Sequence, residues 1–360
     1  MRSQRKAASP TKAKAGQEIK GQLQELESKL ADVEDRLADL LAHQPNLLDP
    51  SVPDGQSEEA NQIIRTVGEP TRFDFSPKDH LTIAESLDLI DVKRAATVSG
   101  SRFYYLKGWG ARLRLALINF AFAKLIESGF TPFFTPHLAK ERTMFGTGYL
   151  PFAKDDLYSI QGEDLHLIGT SEQTLVAYHS DELLTAADLP LRYCAYSRCF
   201  RTEAGSYGKD SHGIFRVHEF AKVEMIVFAR PEESVKAWEA VQAIEEAMAV
   251  ELALPYRVTE ACAGDLSKAA SRRFDIEVWF PSQERYREVT SNSNLLDFQT
   301  RRLNIRVKDK DGKKFYPHTI SATAVTDRHL IAILENGQQK DGSIKIPKVL
   351  QEHTGFDRIG

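Results

Sequence analysis

The chain of 360 residues contains few cysteines and no long apolar segment. Its 3 cysteines are odd in number and lack the Cys-x-x-Cys spacing of a zinc site, so we expect reduced and mostly buried thiols. The longest mainly apolar stretch, 113–126, contains three polar residues and is shorter than the roughly 20 apolar residues of a membrane span. No apolar segment of a secretory signal is visible at the N-terminus. The composition therefore predicts a cytoplasmic protein with no membrane partner.

The glycine-rich nucleotide motifs are also absent. No Gly-x-Gly-x-x-Gly follows a predicted strand, and no Gly-Lys-Ser or Gly-Lys-Thr phosphate loop occurs. A Rossmann or P-loop nucleotide site is therefore not expected. Strand-like runs joined by short loops instead favour an α+β fold with an antiparallel sheet. We predict helices at 113–128, 170–184, 232–252 and 323–336, and strands at 165–168, 191–203, 214–229, 274–280, 285–291 and 302–307.

The net charge of −4 is distributed unevenly. The first 14 residues carry five basic side chains and no acidic one, so the rest of the chain has a charge of −9. A basic cluster of this kind can neutralise RNA phosphates, while the acidic body limits unspecific adhesion. A solvated tail has the same composition, and the sequence leaves both interpretations open. The five residues are Arg2, Arg5, Lys6, Lys12 and Lys14.

A heptad pattern follows the basic cluster. Apolar residues recur at alternating spacings of four and three, with charged residues around them, which predicts one long helix with an apolar seam. Such a seam requires a partner, because an isolated helix would expose it to water. The seam consists of Ile19, Leu23, Leu26, Leu30, Val33, Leu37 and Leu40.

Proline residues end this helix. Pro45 cannot continue it, and Pro50, Pro53 and Gly55 favour irregular structure in the acidic stretch that follows. We therefore expect an N-terminal helical unit at 1–44, a linker at 45–70 and one large domain at 71–360.

The most informative stretch of the chain runs from Phe200 to Glu224. It contains a Phe-Arg-x-Glu strand end at 200–203, a polar loop with glycines, and a second strand that carries Arg216 and Phe220. Two arginines and two carboxylates would then face each other across a hairpin, with Phe220 between them. This set of groups can hold a triphosphate, an amino group and a purine ring.

The stretch resembles motif 2 of the class II aminoacyl-tRNA synthetases, and its residue sequence resembles that of the seryl-tRNA synthetases in particular. Three further blocks resemble the same family in the same order: Gly169–Glu172, Arg287–Arg302, and Arg328 with Ala332–Asn336. The resemblance covers nearly the whole chain from about Pro45. It implies the class II fold, an antiparallel sheet flanked by helices, here preceded by a single long heptad-patterned helix.

The resemblance implies that the protein uses ATP and Mg²⁺. Arg201, Arg328 and Glu288 would be catalytic, with Arg201 clamping the α-phosphate through the two parallel donors of its guanidinium. Glu288 and Ser291 would hold Mg²⁺, since a hard cation prefers oxygen ligands. The implied ATP contacts are Arg201, Thr202, Glu203, Arg216, Val217, Phe220, Glu288, Val289, Thr290, Ser291 and Arg328. For Glu335, Asn336, His212, His218 and Trp279 we expect a packing or supporting role.

The resemblance also implies a small polar pocket for L-serine, with Glu224 and Thr323 on the hydroxyl group and Thr170 and Glu172 on the amino group. Ser321 departs from the family, in which an asparagine usually precedes the pocket threonine by two residues. Several motif 3 glycines are missing as well, so we expect serine selectivity to be less secure than ATP binding. The implied serine contacts are Thr170, Ser171, Glu172, Arg201, Glu224, Ser321 and Thr323.

Two partners follow from the resemblance. The heptad helix looks like the returning helix of the arm that grips tRNA(Ser), so 1–44 would be a remnant of that arm; the outgoing helix does not precede it in this sequence. The helix and strand that end at Pro136 resemble motif 1, which implies a homodimer formed through this region.

Two functions of different classes remain open. The first is a serine–tRNA ligase that activates serine with ATP and transfers it to tRNA(Ser). The second is a paralogue that activates an amino acid and passes it to a carrier protein or a small molecule. The basic cluster and the heptad helix favour the first, and the absence of the outgoing arm helix from this sequence favours the second. A binding protein without catalysis is disfavoured, because every charge needed for activation is present.

Overall fold

The computed structural model describes residues 10–204 and 213–360, with side chains from Lys14 onward. The described residues form two compact units, one ending at Pro45 and one comprising Asn46–Gly360. Most of the basic cluster, the polar loop at 205–212 and His212 lie outside the described residues. Among the described residues, no helix has the length and apolarity needed to cross a membrane.

The first unit contains one long helix. The apolar seam predicted from the heptads lies on this helix, and each seam residue is 53–65% exposed. The described helices are α1 Pro10–Ala42, α2 His80–Ser86, α3 Val92–Ser99, α4 Gly108–Glu127, α5 Glu141–Gly146, α6 Glu172–Ala177, α7 Ser234–Glu251, α8 Phe298–Arg302, α9 Asp327–Gly337 and α10 Lys348–Thr354.

The second unit is built on an eight-stranded sheet, with four smaller sheets around it. The described strands are β1 Gln62–Val67, β2 Ile90–Asp91, β3 Tyr105–Leu106, β4 Thr131–Phe134, β5 Leu138–Ala139, β6 His166–Leu167, β7 Leu183–Thr185, β8 Leu191–Phe200, β9 Glu219–Ala229, β10 Tyr256–Glu260, β11 Arg272–Phe280, β12 Arg285–Leu296, β13 Arg306–Lys308, β14 Lys314–Phe315, β15 His318–Thr326, β16 Ile344–Lys345 and β17 Arg358–Ile359.

The strand order of the large sheet is β1-β10-β11-β12-β15-β9-β8-β4. Every neighbouring pair is antiparallel except β4 and β8, which are parallel. The α+β class and the antiparallel sheet expected from the sequence are therefore confirmed. The main core lies between this sheet and the helices α4, α7 and α9, and Leu113, Trp238 and Ile331 are among its buried residues.

One predicted helix was wrong in its first part. We expected a helix at 323–336, but residues up to Thr326 belong to strand β15, and the helix begins at Asp327. Strand β15 is rich in β-branched residues and buried almost throughout, as is typical of a central strand. Thr326 caps the helix, because its Oγ1 accepts a hydrogen bond of 3.1 Å from Arg328 N.

Other boundaries also differ from the predictions. The helix predicted at 170–184 is confined to Glu172–Ala177, and the strand predicted at 302–307 is confined to Arg306–Lys308. The second motif 2 strand begins at Glu219 and not at 214.

The stretch predicted to be a linker is largely folded onto the second unit. Asn46 is buried, and its Nδ2 donates hydrogen bonds to Ala269 O at 2.9 Å and to Leu295 O at 2.7 Å. Residues 62–67 form the edge strand β1, which pairs with β10. The sequence-based prediction missed both strands. For β1 the reason is that it is exposed along most of its length and shows no apolar alternation.

Candidate active site

Two adjoining cavities open on one face of the large sheet. The first, which we call the Glu224 cavity, has a volume of about 390 Å³ and is lined by Glu172, Glu224 and Ser321, among others. The second, which we call the arginine cavity, has a volume of about 210 Å³ and contains Arg216 and Arg328. Arg201, Lys222 and Ser291 line both cavities. A ligand in one cavity would therefore lie next to a ligand in the other.

The arginine cavity brings together most of the residues expected to contact ATP. Arg201, Glu203, Arg216, Val217, Phe220, Glu288, Val289, Thr290, Ser291 and Arg328 line it. Thr202 is not among the residues that line it; its hydroxyl donates to the carbonyl of Asp155. The structure thus brings together the blocks at 201–220, 288–291 and 328, which lie far apart in the sequence.

Arg201 is held in place by the loop that precedes α6. Its Nε and Nη2 both donate to the carbonyl oxygen of Gly169, each at 3.3 Å. Its guanidinium also lies 5.3 Å from the centre of the Phe220 ring. These contacts aim a fixed positive charge at the boundary between the two cavities.

Arg216 forms an ion pair with Glu203, and the distance from Nη1 to Oε2 is 2.7 Å. Glu203 has a backbone φ angle of 55°, a conformation that residues other than glycine rarely adopt. Such strain persists only where the surroundings enforce it, and it is concentrated at functional sites. The pair leaves the Glu203 side chain mostly enclosed and the Arg216 side chain 31% exposed.

Arg328 lies in the first turn of α9, and its position depends on two contacts. Its Nη1 donates to Glu288 O at 2.9 Å and lies 3.3 Å from Glu288 Oε2. Its guanidinium lies 4.5 Å from the centre of the Phe215 ring, and the guanidinium of Arg287 lies 3.8 Å from the same ring centre. Stacking on an aromatic face holds a guanidinium in a defined plane without consuming its donors.

Glu288 and Ser291 are the residues expected to hold Mg²⁺, and their chemistry fits a hard cation. Enclosure in the cavity would raise the pKa of the Glu288 carboxyl, but the positive charges of Arg328 and Arg273 outweigh it and hold the pKa below its ordinary value. The carboxylate is thus ionised at neutral pH, and its side chain remains 49% exposed. An ionised carboxylate and a hydroxyl are oxygen ligands of the kind that Mg²⁺ prefers.

The Glu224 cavity ends at a buried carboxylate. Ser321 Oγ donates to Glu224 Oε1 at 2.9 Å, and Thr323 Oγ1 donates to Oε2 at 3.3 Å. Burial raises the pKa of Glu224, while the nearby Lys222 lowers it. Ser321, the departure noted in the sequence, therefore still hydrogen-bonds the pocket carboxylate.

Lys222 is a site residue that the sequence analysis missed. Its Nζ lies 2.5 Å from Glu224 Oε2, and both side chains are buried. A buried carboxylate without a counter-charge would be costly, so Lys222 keeps an ionised Glu224 tolerable at this depth. Residues 222 and 224 share one face of strand β9, and this Lys-x-Glu spacing was the available signal.

Of the remaining residues expected to contact serine, one lines the Glu224 cavity and two do not. Glu172 lines the Glu224 cavity and accepts hydrogen bonds from Gln299 Nε2 at 2.7 Å and from Tyr149 Oη at 3.4 Å. Thr170 and Ser171 are fully buried and are not among the residues that line this cavity. They support the loop that presents Glu172.

Comparison with known proteins agrees with this geometry. The family model of the tRNA synthetase class II core domain (G, H, P, S and T) matches residues 156–337. Serine–tRNA ligase from Thermobifida fusca is 48% identical over 318 residues, which cover 88% of this chain and 75% of the relative. Serine–tRNA ligase from Treponema denticola is 46% identical over 320 residues, covering 88% and 76%.

Solved structures show the same similarity. The crystal structure of seryl-tRNA synthetase from Pyrococcus horikoshii, complexed with ATP, has a TM-score of 0.95 at 42% identity and covers 98% of this chain and 83% of that one. Prolyl-tRNA synthetase from Giardia lamblia, at 17% identity and a TM-score of 0.64 over 77% of this chain and 57% of that one, shares the fold. With relatives this similar over most of their length, the chain belongs to the serine–tRNA ligase family of class II aminoacyl-tRNA synthetases.

Proposed function

We propose that this protein charges tRNA(Ser) with serine in two steps. In the first, serine and ATP form seryl-adenylate and release pyrophosphate; in the second, a hydroxyl of the tRNA end takes the seryl group and releases AMP. The observation that carries the proposal is the pair of adjoining cavities, one with an array of arginines and one that ends at the buried Glu224 carboxylate. The guanidinium groups of the first suit the phosphates of ATP, and the carboxylate of the second suits the polar groups of serine.

Activation requires positioning and charge neutralisation more than proton transfer. The serine carboxylate, already ionised at pH 7, attacks the α-phosphorus of ATP, and the bond to pyrophosphate breaks. Arg201 lies at the boundary of the two cavities, where this bond would form. Arg216 and Arg328 face the β- and γ-phosphates, and Phe220 stacks on the adenine ring. Fixed guanidinium groups in such a site stabilise developing negative charge without reorganisation.

Mg²⁺ is the proposed cofactor, held by Glu288 and Ser291. When bound, it neutralises phosphate charge alongside the arginines. The Glu288 carboxylate also forms an ion pair with Arg328, so it links the strand that would bind the cation to this arginine.

The first prediction tests activation. With serine and Mg²⁺ and without tRNA, the protein should exchange pyrophosphate into ATP. Arg201→Ala should raise the activation barrier by about 2 to 4 kcal/mol, because a preorganised donor to the developing charge is lost. Arg201→Lys is the matched control, because it keeps the charge but loses the parallel donors. Its exchange rate should lie between the rates of the unsubstituted protein and of Arg201→Ala. Absence of exchange with every amino acid would reject the enzyme proposal.

The second prediction tests serine recognition. Glu224→Ala should reduce the discrimination of serine over alanine by at least about tenfold in kcat/KM, because no buried acceptor then demands a hydroxyl. The KM for ATP should change little. Since this change leaves Lys222 buried without its counter-charge, the double variant Lys222→Met/Glu224→Ala controls for lost stability. Equal loss for serine and alanine would mean that Glu224 is scaffolding.

The third prediction concerns a homodimer formed through the motif 1 region near Pro136. Strand β4 is an edge strand of the large sheet, and Phe134 on it is 85% exposed. An exposed aromatic residue on an edge strand indicates an interaction surface. Phe134→Arg should therefore shift the protein from dimer to monomer in sedimentation velocity. Val98→Arg, at a site 68% exposed on α3, is the control and should not. A wild-type monomer would contradict the proposal.

The fourth prediction concerns the N-terminal unit as a tRNA-binding arm. Deletion of residues 1–44 should leave serine activation nearly intact, because both cavities lie in the second unit. Binding of tRNA(Ser) should weaken, and the binding of the full chain should fall steeply with salt, as phosphate contacts require. Aminoacylation and pyrophosphate exchange are compared for both proteins. If both activate serine and neither charges tRNA(Ser), the acceptor is a carrier protein or a small molecule.

A further inference from the structure

A chain of buried hydrogen bonds behind the arginine cavity joins four parts of the molecule that lie far apart in the sequence. It runs from the turn after β11, through helix α9 and the first residue of α2, to the segment 214–217. Its members are Ser282, Glu335, His80 and Ile214. Neither Glu335 nor His80 is among the residues that line either cavity, so these side chains would act on a ligand only through others.

Glu335 on α9 anchors the chain. Its side chain is fully buried, and each carboxylate oxygen faces a backbone N–H. Oε1 accepts from His80 N at 3.1 Å, and Oε2 accepts from Ser282 N at 3.2 Å and from Ser282 Oγ at 2.7 Å. Because both oxygens already face obligatory donors, the carboxylate acts as an acceptor throughout.

The ring of His80 has a defined tautomer. Its Nδ1 lies 3.0 Å from Glu335 Oε1, so Nδ1 carries the proton and donates it. Its Nε2 lies 3.2 Å from Ile214 N, a group that can only donate, so Nε2 is the acceptor. A histidine whose two ring nitrogens have opposite partners transmits the position of one partner to the other.

Gly213 shows how closely the segment approaches this ring. It has a φ of +80°, and a Cβ at this position would overlap His80 Nε2. A glycine is the residue that permits both the backbone conformation and the approach. The close contact is independent of the hydrogen bond, and both place the start of the segment against His80.

The segment itself carries groups of the arginine cavity. Phe215 is buried, packs against Phe280 with ring centres 5.6 Å apart, and forms the platform under the Arg328 guanidinium. Arg216 and Val217 line the cavity. Arg328 lies at the start of the helix that also carries Glu335. The hydrogen-bonded chain therefore fixes the position of the segment 214–217 relative to the helix that carries Arg328.

We propose that His80 is a positioning residue for ATP: by holding Ile214, it sets the position of Phe215, Arg216 and Val217 relative to Arg328. The inference rests on the proposed assignment of the arginine cavity to ATP. It predicts that loss of the hydrogen bond between Ile214 N and His80 Nε2 weakens ATP binding. Serine recognition should stay unchanged, since Glu224 and its partners lie on strands β9 and β15 and not in this segment.

Two substitutions separate the functions of the two ring nitrogens. His80→Asn places an amide nitrogen near the position of Nδ1, so it keeps the bond to Glu335 and loses the acceptor for Ile214. His80→Gln places an amide oxygen near the position of Nε2, so it keeps the acceptor for Ile214. Titration calorimetry measures the Kd for ATP, which needs no turnover, and pyrophosphate exchange gives the KM for serine.

For His80→Asn we expect the Kd for ATP to rise about tenfold, as for an unpaired buried N–H group, with the KM for serine within about twofold of the unsubstituted protein. For His80→Gln the Kd for ATP should stay within about twofold. Gly213→Ala, which leaves His80 and Glu335 in place but pushes the segment away, should reproduce the loss of ATP affinity. It serves as the second variant if His80→Asn does not fold.

Equal ATP affinities for His80→Asn and His80→Gln would overturn the inference. So would parallel losses for ATP and serine, which indicate a general structural defect. A protein that binds ATP but exchanges no pyrophosphate would refute the proposed function, and the comparison of the ATP affinities would still decide the role of His80.

Discussion

The structure depends on one constraint, the requirement that strand β9 serve two environments at once. Successive side chains of a strand point to opposite faces, so Val223, Met225 and Val227 enter the main core. Phe220, Lys222 and Glu224 occupy the other face in the same stretch. Strands β8 and β15 pair with β9 along most of its length and fix its register. A slip of one residue would exchange the core with the site.

Three ion pairs arrange the charge around this strand. Arg216 pairs with Glu203, Arg328 with Glu288, and Lys222 with Glu224. A ligand with several negative charges would enter an array in which the guanidinium groups are already oriented by carboxylates and aromatic rings. Orientation before binding removes part of the entropic cost of assembling such a site. The same pairs keep the cavity stable when no ligand neutralises it.

The sequence was most informative where spacing is short. The hairpin around Arg201 is a local feature, and the antiparallel sheet followed from short loops between strands. It was misleading at 323–326, because a buried strand that leads directly into a helix shows no change of composition at the boundary. Strand β1 was missed since its stability comes from pairing with β10, a contact about 190 residues away that local propensity does not contain.

The sequence by itself determined the chemical groups, their order and the heptad seam, because these depend on residue identity and on the periods of helix and strand. Only the tertiary structure decided which groups meet. It seated Arg328 on Phe215 and brought His80 between Glu335 and Ile214, residues separated by more than 100 positions. It also turned Thr202 toward Asp155 and away from the cavity. Such contacts arise from how strands and helices pack, and packing satisfies buried polar groups across distances that no local pattern records.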